Sequence, residues 1–520
     1  MSRIGSVHPS QQETQCSPPF WSARQPAVVL ASIWLVLFLV KITAPSDLMD
    51  NDQERPAAYV MDCVVNGKWI CQRDQTGDVA SKPPLYTWAA ALLTLLAGRA
   101  SLWALYLPGA LAVLGTVLLI FIAGRQILGP PAGFWAGLAY LLSSTTYKQL
   151  ALARTDPVFT LTVFGSALLA FWAWQRGRAW PWFWLAAAAA TLTKGPLGVV
   201  FALGGLVAAP WERRTDPQYA LPPVARNPGH LAGLGLFILI SGGWFLTAWL
   251  TEGKAFIDKV MLRELVGHAV PRSDADSPWW RCLEPALYFL SRFLPWSILA
   301  CASIWRVFRA PAPHARVRSF ERFLTGHLIL GLLILSVASH KRADLNLPLL
   351  PAAALLAGRQ IAEGLQRIRP RLLVPATVAV VLAVIVGFGL HSHLVRPGDR
   401  QVRLTGHVLR FSRSLPDQGT GSVRIEYLDA PYALQFFGNT LRRNVTADTA
   451  ARLLTGPEPA YVVVKNLQRF EQSTGLAPGN PLHIVATCLV EDRPYLTILG
   501  NRPQFEQARP GPSASPGGEP

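Results

Sequence analysis

Long, nearly uncharged windows recur along this chain, among them residues 27–40, 105–123, 231–250 and 372–390. An α-helix rises about 1.5 Å per residue and a bilayer's hydrocarbon core is about 30 Å thick, so about 20 apolar helical residues cross it. Several windows meet that length. Of the 520 residues, 51% are hydrophobic and 15% charged, against about 25% charged in ordinary soluble domains. The expected fold class is a polytopic α-helical membrane protein. A formal net charge of +17 invites a nucleic-acid partner, and its distribution excludes one. The basic residues are scattered over loops between apolar runs and form no basic domain.

About eleven spans are expected, over 26–44, 102–123, 131–148, 157–174, 180–193, 196–211, 231–250, 286–305, 323–338, 346–361 and 372–391. The apolar stretch 85–96 is short and reads as an interfacial helix. No cleavable signal peptide is evident, because the first apolar run is long and lacks a small-residue cleavage site. With the N-terminus in the cytoplasm, the inner loops hold Arg125, the pair Arg176 and Arg178, then Arg213, Arg214 and Arg226. Further inner loops hold Arg306, Arg309, Arg316, Arg318 and Arg322, then Arg359, Arg367, Arg369 and Arg371. Every one of these loops obeys the positive-inside rule. The outer loops then carry Asp52 with Lys82, Arg154 with Asp156, Lys194, Glu264 with His268, and Lys341 with Arg342. Mixed charge therefore collects on the extracytoplasmic side. A crossing by 85–96 would invert the later loops and break the rule.

The layout that follows is a cytoplasmic disordered tail over 1–25 and a transmembrane unit over 26–392, with a first outer loop at 45–100. Strand-like runs at 422–427, 460–464, 483–486 and 495–499, with a helical stretch at 446–454, predict a small extracytoplasmic α/β domain over 393–507. The Pro-, Gly- and Ser-rich tail 508–520 reads as disordered. Of six cysteines, none forms a Cys-x-x-Cys motif, so a structural zinc site is not expected. Cys63 and Cys71 share the first outer loop, where an oxidising face would allow a disulfide.

Several charged clusters admit a chemical and a bland reading. Asp52 at the membrane surface can act as a general base on an acceptor hydroxyl or amine, or be a solvated acid or helix cap. Glu54 and Asp62 compete for that role. In Lys82-Pro83-Pro84, the prolines stiffen the backbone and the lysine can serve as a point charge on a phosphate, or snorkel as an anchor for the 85–96 helix. Asp156, ahead of Pro157, suits a helix cap as well as a second site acid. Lys194 stands between two apolar runs, where a cation is costly without a cavity or partner. Lys341 and Arg342 lie at an outer helix end, against the positive-inside trend, and suit a phosphate. Glu264 and His268, with Arg263, fall in an outer loop, and no second histidine stands at ligand spacing.

Five ordered motifs then carry a resemblance: the first outer loop with Asp52, Arg55, Tyr59 and Gly67-Lys68-Trp69; Lys82-Pro83-Pro84-Leu85; Arg154-Thr155-Asp156; Thr193-Lys194-Gly195-Pro196; and Lys341-Arg342 through Leu347-Pro348. Pro295-Trp296 adds to them. Over about residues 26–395 the chain resembles the GT-C class of membrane glycosyltransferases, in particular the aminoarabinose-transferase and protein-mannosyltransferase-like group. It departs from that pattern in the separation of Arg55 from Tyr59, in Ser81 where an acid is common, and around Asp344-Leu345-Asn346.

The resemblance implies an inverting transfer of a sugar from a polyprenyl-phosphate donor to a lipid or glycan acceptor on the periplasmic face of the inner membrane. Membrane lipids are its surroundings. It implies Asp52 and Asp156 as catalytic acids and Arg55, Lys82, Lys194, Lys341 and Arg342 as ligands of the donor phosphate. Tyr59, Glu264 and His268 are further candidates. No cofactor or metal is called for, because the cations supply the positive charge. Three rivals stand beside this reading: a protein O-mannosyltransferase-like enzyme, a flippase of lipid-linked sugars, and a non-catalytic scaffold. A flippase would favour inverted repeats, and the sequence displays none.

Overall fold

The computed structural model describes residues 24–217, 224, 227–266, 278–366, 370–416, 423–479 and 482–506. Among them, six helices are long and apolar enough to cross a membrane: Gln25–Ile42 (α1), Leu102–Ile127, Asp156–Arg176, Gly229–Glu252, Ala315–Val337 and Arg371–Gly398. Their burial differs sharply. Asp156–Arg176 has 72% of its apolar window inside the protein, and Arg371–Gly398 has 6%, so the latter turns nearly all of its surface outward.

The loop 45–100, expected to be the first outer loop, folds into two helices, Asn51–Asn66 (α2) and Leu85–Ala97 (α3). At 13 residues, α3 is about 20 Å long, shorter than a bilayer core, in keeping with an interfacial helix. Leu102–Ile127 (α4) follows, then Pro130–Leu141 (α5) and Ser144–Lys148 (α6). The run expected as one span over 131–148 is thus split. Ser143 breaks it: its hydroxyl accepts the Thr146 amide at 3.2 Å and starts a new helix. Asp156–Arg176 (α7) and Trp180–Lys194 (α8) come next. Gly195, at φ +89°, ends α8 in a conformation that suits glycine, and the expected span 196–211 is a helical run made of Leu197–Leu203 and Ala208–Thr215, joined by a tighter turn at Gly204–Val207. The span expected over 286–305 is likewise two helices, bent by 113° where Pro295 precedes Trp296; proline lacks the donor that would continue the helix.

Small residues let these helices close on one another. A Cβ added at Gly358, on the helix Leu350–Leu365, would lie 2.5 Å from the Ala136 backbone nitrogen of α5. One added at Gly133 would lie 2.6 Å from the Phe121 carbonyl of α4. Close backbone approach is how membrane helices gain contact without a hydrophobic drive between them. At the start of Ala315–Val337, Arg322 and Arg318 grip the buried Glu212 at 2.8 and 3.1 Å. The far end of that helix delivers residues 338–344.

The C-terminal part is a four-stranded sheet of Ile425–Tyr427 (β1), Tyr461–Val464 (β2), His483–Val490 (β3) and Arg493–Gly500 (β4), in the order β1-β2-β4-β3. β1 and β2 are parallel, and the β2–β4 and β3–β4 pairs are antiparallel. The helix Ala447–Thr455 lies near the expected position. The sheet shares one apolar core with the first outer loop. Ala57, Met61 and Cys63 of α2 and Tyr86 of α3 pack with Tyr427, Tyr432, Leu434 and Ile498. Cys63 and Cys71 are buried free thiols and form no disulfide. Burial pushes both up to about 12, and the Cys63 thiol donates to the Lys68 carbonyl at 3.3 Å.

Substituting Gly358→Val is expected to overpack the helix contact by about 1–3 kcal/mol and lower the thermal unfolding temperature in detergent. Gly364→Ala, on the same helix with nothing within 4 Å, is expected to leave that temperature unchanged or raised. Equal midpoints for Gly358→Val and wild type would contradict the packing argument.

Candidate active site

Asp52 stands in the first turn of α2. Asp50 caps that helix, accepting the Asp52 amide at 3.0 Å, and an acid in the first turn suits the helix dipole. The Asp52 carboxylate accepts from two arginines. Arg154, just ahead of α7, donates from Nη2 at 2.9 Å, and Arg342, after the helix Ala315–Val337, donates to the same oxygen. Arg154 is itself buried between two acids, its Nη1 lying 2.6 Å from Asp344. Asp344 also takes Lys148 at 3.3 Å. Beside this network the Lys194 ammonium donates to Asp156 at 2.5 Å and lies 5.6 Å from the Phe159 ring centre. One chain of alternating charge thus runs Lys148–Asp344–Arg154–Asp52–Arg342, with Asp156–Lys194 at its flank.

The electrostatics follow from that geometry. Partial burial pushes the Asp52 carboxyl up, but the hydrogen bond from Arg342 and the charges of Arg154 and Arg342 more than offset it. Its pKa is held below the usual carboxylate range, so Asp52 is ionised at neutral pH. Arg342 is pushed up in turn, chiefly by its hydrogen bond to Asp52.

The structure brings Asp52, Arg342, Asp156 and Lys194 into this one neighbourhood, and it separates other candidates. Asp156 makes no cap at the start of α7; its carboxylate is committed to Lys194 instead. Arg55 is exposed and points towards Asp74, 3.9 Å away. The Lys341 ammonium folds back onto the Ala338 carbonyl at 2.7 Å. Lys82 is partly exposed in the turn before α3. Tyr59 is buried.

The two acids that competed with Asp52 have other occupations. Asp62 is fully buried and accepts the Arg73 amide at 2.7 Å and Asn66 at 2.8 Å. Glu54 is buried and accepts the Ala433 amide at 3.1 Å from the C-terminal domain. Glu264 falls in the helical stretch Ile257–Val266; its side chain, and all of His268, lie outside the described residues. Among the described residues, no three His, Cys, Asp or Glu side chains are grouped to share a metal ion.

Two members of the network escaped the sequence reading. Lys148 looked like the last residue of an apolar run, and Asp344 only like a departure in the 341–348 segment. The signal for Lys148 was present: on the topology expected from the sequence, a lysine at the outer end of a span runs against the positive-inside trend, as Lys341 does. An apolar groove of about 360 Å³ lies between α3, α7 and α8, lined by Leu85, Leu169, Trp182, Leu185, Leu192 and Ile240. Leu85 and Leu192 follow and precede Lys82 and Lys194 closely in the chain.

Known proteins resemble this chain in sequence and in fold. The family described as dolichyl-phosphate-mannose-protein mannosyltransferase matches residues 81–223. An undecaprenyl phosphate-alpha-4-amino-4-deoxy-L-arabinose arabinosyl transferase of Pseudomonas fluorescens (strain Pf0-1) is 26% identical over 392 residues, 72% of this chain and 67% of that protein. The corresponding transferase of Edwardsiella ictaluri is 26% identical over 385 residues, 70% of this chain and 66% of that protein. The matches therefore span about two thirds of these relatives' length.

Among solved structures, ArnT from Cupriavidus metallidurans bound to undecaprenyl phosphate superposes with a TM-score of 0.68 at 17% identity, covering 92% of this chain and 99% of that one. Its apo form gives 0.66 at 18% identity, covering 92% and 98%. The fold is that of the GT-C membrane glycosyltransferases. In sequence the chain is similar to the aminoarabinose transferases and, over residues 81–223, to the protein mannosyltransferases.

Burial raises the Glu54 carboxyl to about 7, against the lowering effect of hydrogen bonds from the Ala433 and Tyr432 amides. A folded-state pKa above the unfolded value means that protonated Glu54 favours the docked domain. That contribution is fully present below about pH 4.5 and is lost as pH rises through about 7. The thermal midpoint of the wild type is expected to fall between about pH 4.5 and 7, and Glu54→Gln to flatten that fall. Equal slopes in the two proteins would contradict the assignment.

Proposed function

We propose that this protein is a membrane glycosyltransferase that takes a sugar from a polyprenyl-phosphate donor and passes it, with inversion, to a lipid or glycan acceptor on the outer face of the inner membrane. The observation that carries the reading is Asp52, an ionised carboxylate held by Arg154 and Arg342 beside the Lys194–Asp156 pair. A base, a set of cations for a leaving phosphate and an apolar groove for a lipid tail are the three parts that such a transfer requires.

In this mechanism Asp52 takes the proton of the acceptor hydroxyl or amine as that atom attacks the anomeric carbon. The bond from the anomeric carbon to the phosphate oxygen breaks, and its electron pair leaves with the lipid phosphate. Arg342 and Lys194, with Lys82, Lys341 and Arg55 in reserve, meet the developing charge. Arg342 has two tasks in sequence. While it holds Asp52 it keeps the carboxylate weakly basic. When a phosphate draws it away, Asp52 loses that partner and becomes the stronger base. Arg154, buried between Asp52 and Asp344, keeps the carboxylate oriented through the exchange. Asp156 holds Lys194 in place, and the groove beside Leu85 and Leu192 receives the prenyl chain.

The same reading places the N-terminus in the cytoplasm and has the chain cross the membrane about eleven times, some crossings being short or bent helices. Its support is the segregation of charge, with arginine-rich loops on one side and the site residues on the other. The C-terminal domain shares an apolar core with the loop that bears Asp52, which favours the same outer side for both.

Transfer of labelled sugar from a polyprenyl phosphate by the purified protein is expected to fall about 10²–10⁴-fold in Asp52→Asn, with binding of the lipid phosphate retained. Transfer at the wild-type rate would remove Asp52 as the base. Movement of lipid-linked sugar across a bilayer, with no transfer by wild type, would replace the enzyme by a flippase.

A further inference from the structure

Lys41 lies in the last turn of α1 and is 5% exposed. A lysine at the end of a span ordinarily snorkels to water. This one does not. It continues the inward stripe Leu30, Trp34, Leu37 and Phe38 of α1, so its stem runs into the protein. Its ammonium makes no hydrogen bond or ion pair among the described residues. The Tyr147 ring, 5.3 Å from Nζ, is its close contact.

The neighbours sharpen the anomaly. Arg396, Lys148 and Asp47 are the charged groups that act on Lys41. Asp47 is already taken, by Arg396 through an ion pair and by the Gln53 side-chain amide. Lys148 turns to Asp344, which Arg154 also holds. Three cations therefore face two carboxylates, both engaged elsewhere, and the unmatched charge is the buried one. A buried charge without a partner is costly, and in a membrane protein it marks a site for a ligand of opposite sign.

The surround is built rather than loose. Tyr147 stacks on Phe388 at 4.2 Å, and its hydroxyl is 2.8 Å from Ser392. The segment 388–396 belongs to Arg371–Gly398, the apolar helix that turns nearly all of its surface outward. Lys148 is half exposed. The cluster thus lies against an outward-facing apolar helix, with Lys148 reaching the surface.

We infer that Lys41, Lys148 and Arg396 form a second anion subsite, which takes the phosphate group of a membrane lipid. Its residues are distinct from the cations assigned above to the donor. Lys148 joins it to Asp52 through Asp344 and Arg154, and Asp47 joins it to the first turn of α2 through Gln53. The inference goes beyond the transferase reading and does not need it, because binding alone tests it.

The test measures binding of didecanoyl phosphatidic acid, didecanoyl phosphatidylcholine and inorganic phosphate to the full-length protein in detergent, by calorimetry. Wild type is compared with Lys41→Met, Lys148→Met and Lys82→Met. Phosphatidic acid is expected to bind more tightly than the other two. Lys41→Met and Lys148→Met are each expected to weaken it about tenfold or more, and Lys82→Met to leave it unchanged. Lys41→Met is also expected to keep or raise the thermal midpoint, since it removes an unmatched charge; a lysine that only braced the fold would lower it. Should Lys41→Met fail to fold, the half-exposed Lys148 position decides.

Undiminished binding in Lys148→Met and in folded Lys41→Met would overturn the subsite, and so would a loss confined to Lys82→Met. Inorganic phosphate binding as tightly as phosphatidic acid would overturn the membrane origin of the ligand. No arm reads sugar transfer, so failure of the transferase reading would leave these results standing.

Discussion

The Arg154 guanidinium, buried between Asp52 and Asp344, is the contact on which the rest of the site depends. It joins three parts of the chain that lie far apart in sequence: the first outer loop, the start of α7 and the segment after Ala315–Val337. A buried guanidinium requires carboxylate partners, and carboxylates at such depth require it in return. That mutual need fixes where the loops sit. It also leaves Arg342 as the more exposed partner of Asp52, 37% exposed at its side chain against 8% for Arg154. In the proposed mechanism one cation orients the carboxylate and the other changes hands.

The first outer loop has a second attachment. Glu54, two residues beyond Asp52, is buried against Ala433, and the apolar face of α2 merges into the core of the C-terminal sheet. Position at one end of α2 is thus tied to the charged network, and position along its length to the packing of Met61, Tyr432 and Ile498. The helix that carries the proposed base is gripped from two directions. Its first turn tolerates a concentration of acids, Asp50, Asp52 and Glu54, because each has its own neighbours.

Much of this was legible in the sequence where physics is local. Apolar windows such as 105–123 declare membrane helices, because about 20 residues without charge have few other uses. The strands near 425 and 461 and the helix near 447 declared themselves through side-chain pattern. Interruptions were harder to see. The effect of Ser143 on α5 and α6 depends on one hydroxyl finding one amide, and the 113° bend at Pro295 on what packs around it.

At the site, Asp52, Asp156, Lys194 and Arg342 were found because charge beside apolar runs is conspicuous. Their pairing was not visible, since Asp52 and Arg342 stand 290 positions apart. Arg55 was grouped with the phosphate ligands through the family resemblance, yet the structure turns it towards Asp74. Cys63 and Cys71 share a loop, and both thiols end buried and unlinked.

The central claim is that the basicity of Asp52 is set by a cation which a lipid phosphate can take away. The direct measurement is the carboxyl pKa of Asp52, read by ¹³C NMR in aspartate-labelled protein, with Asp52→Asn used to assign the resonance. The titration is run with and without a polyprenyl phosphate. The account predicts a value below the usual carboxylate range in the free protein and a rise when the lipid phosphate binds. A value that stays the same on saturation with the lipid would contradict it.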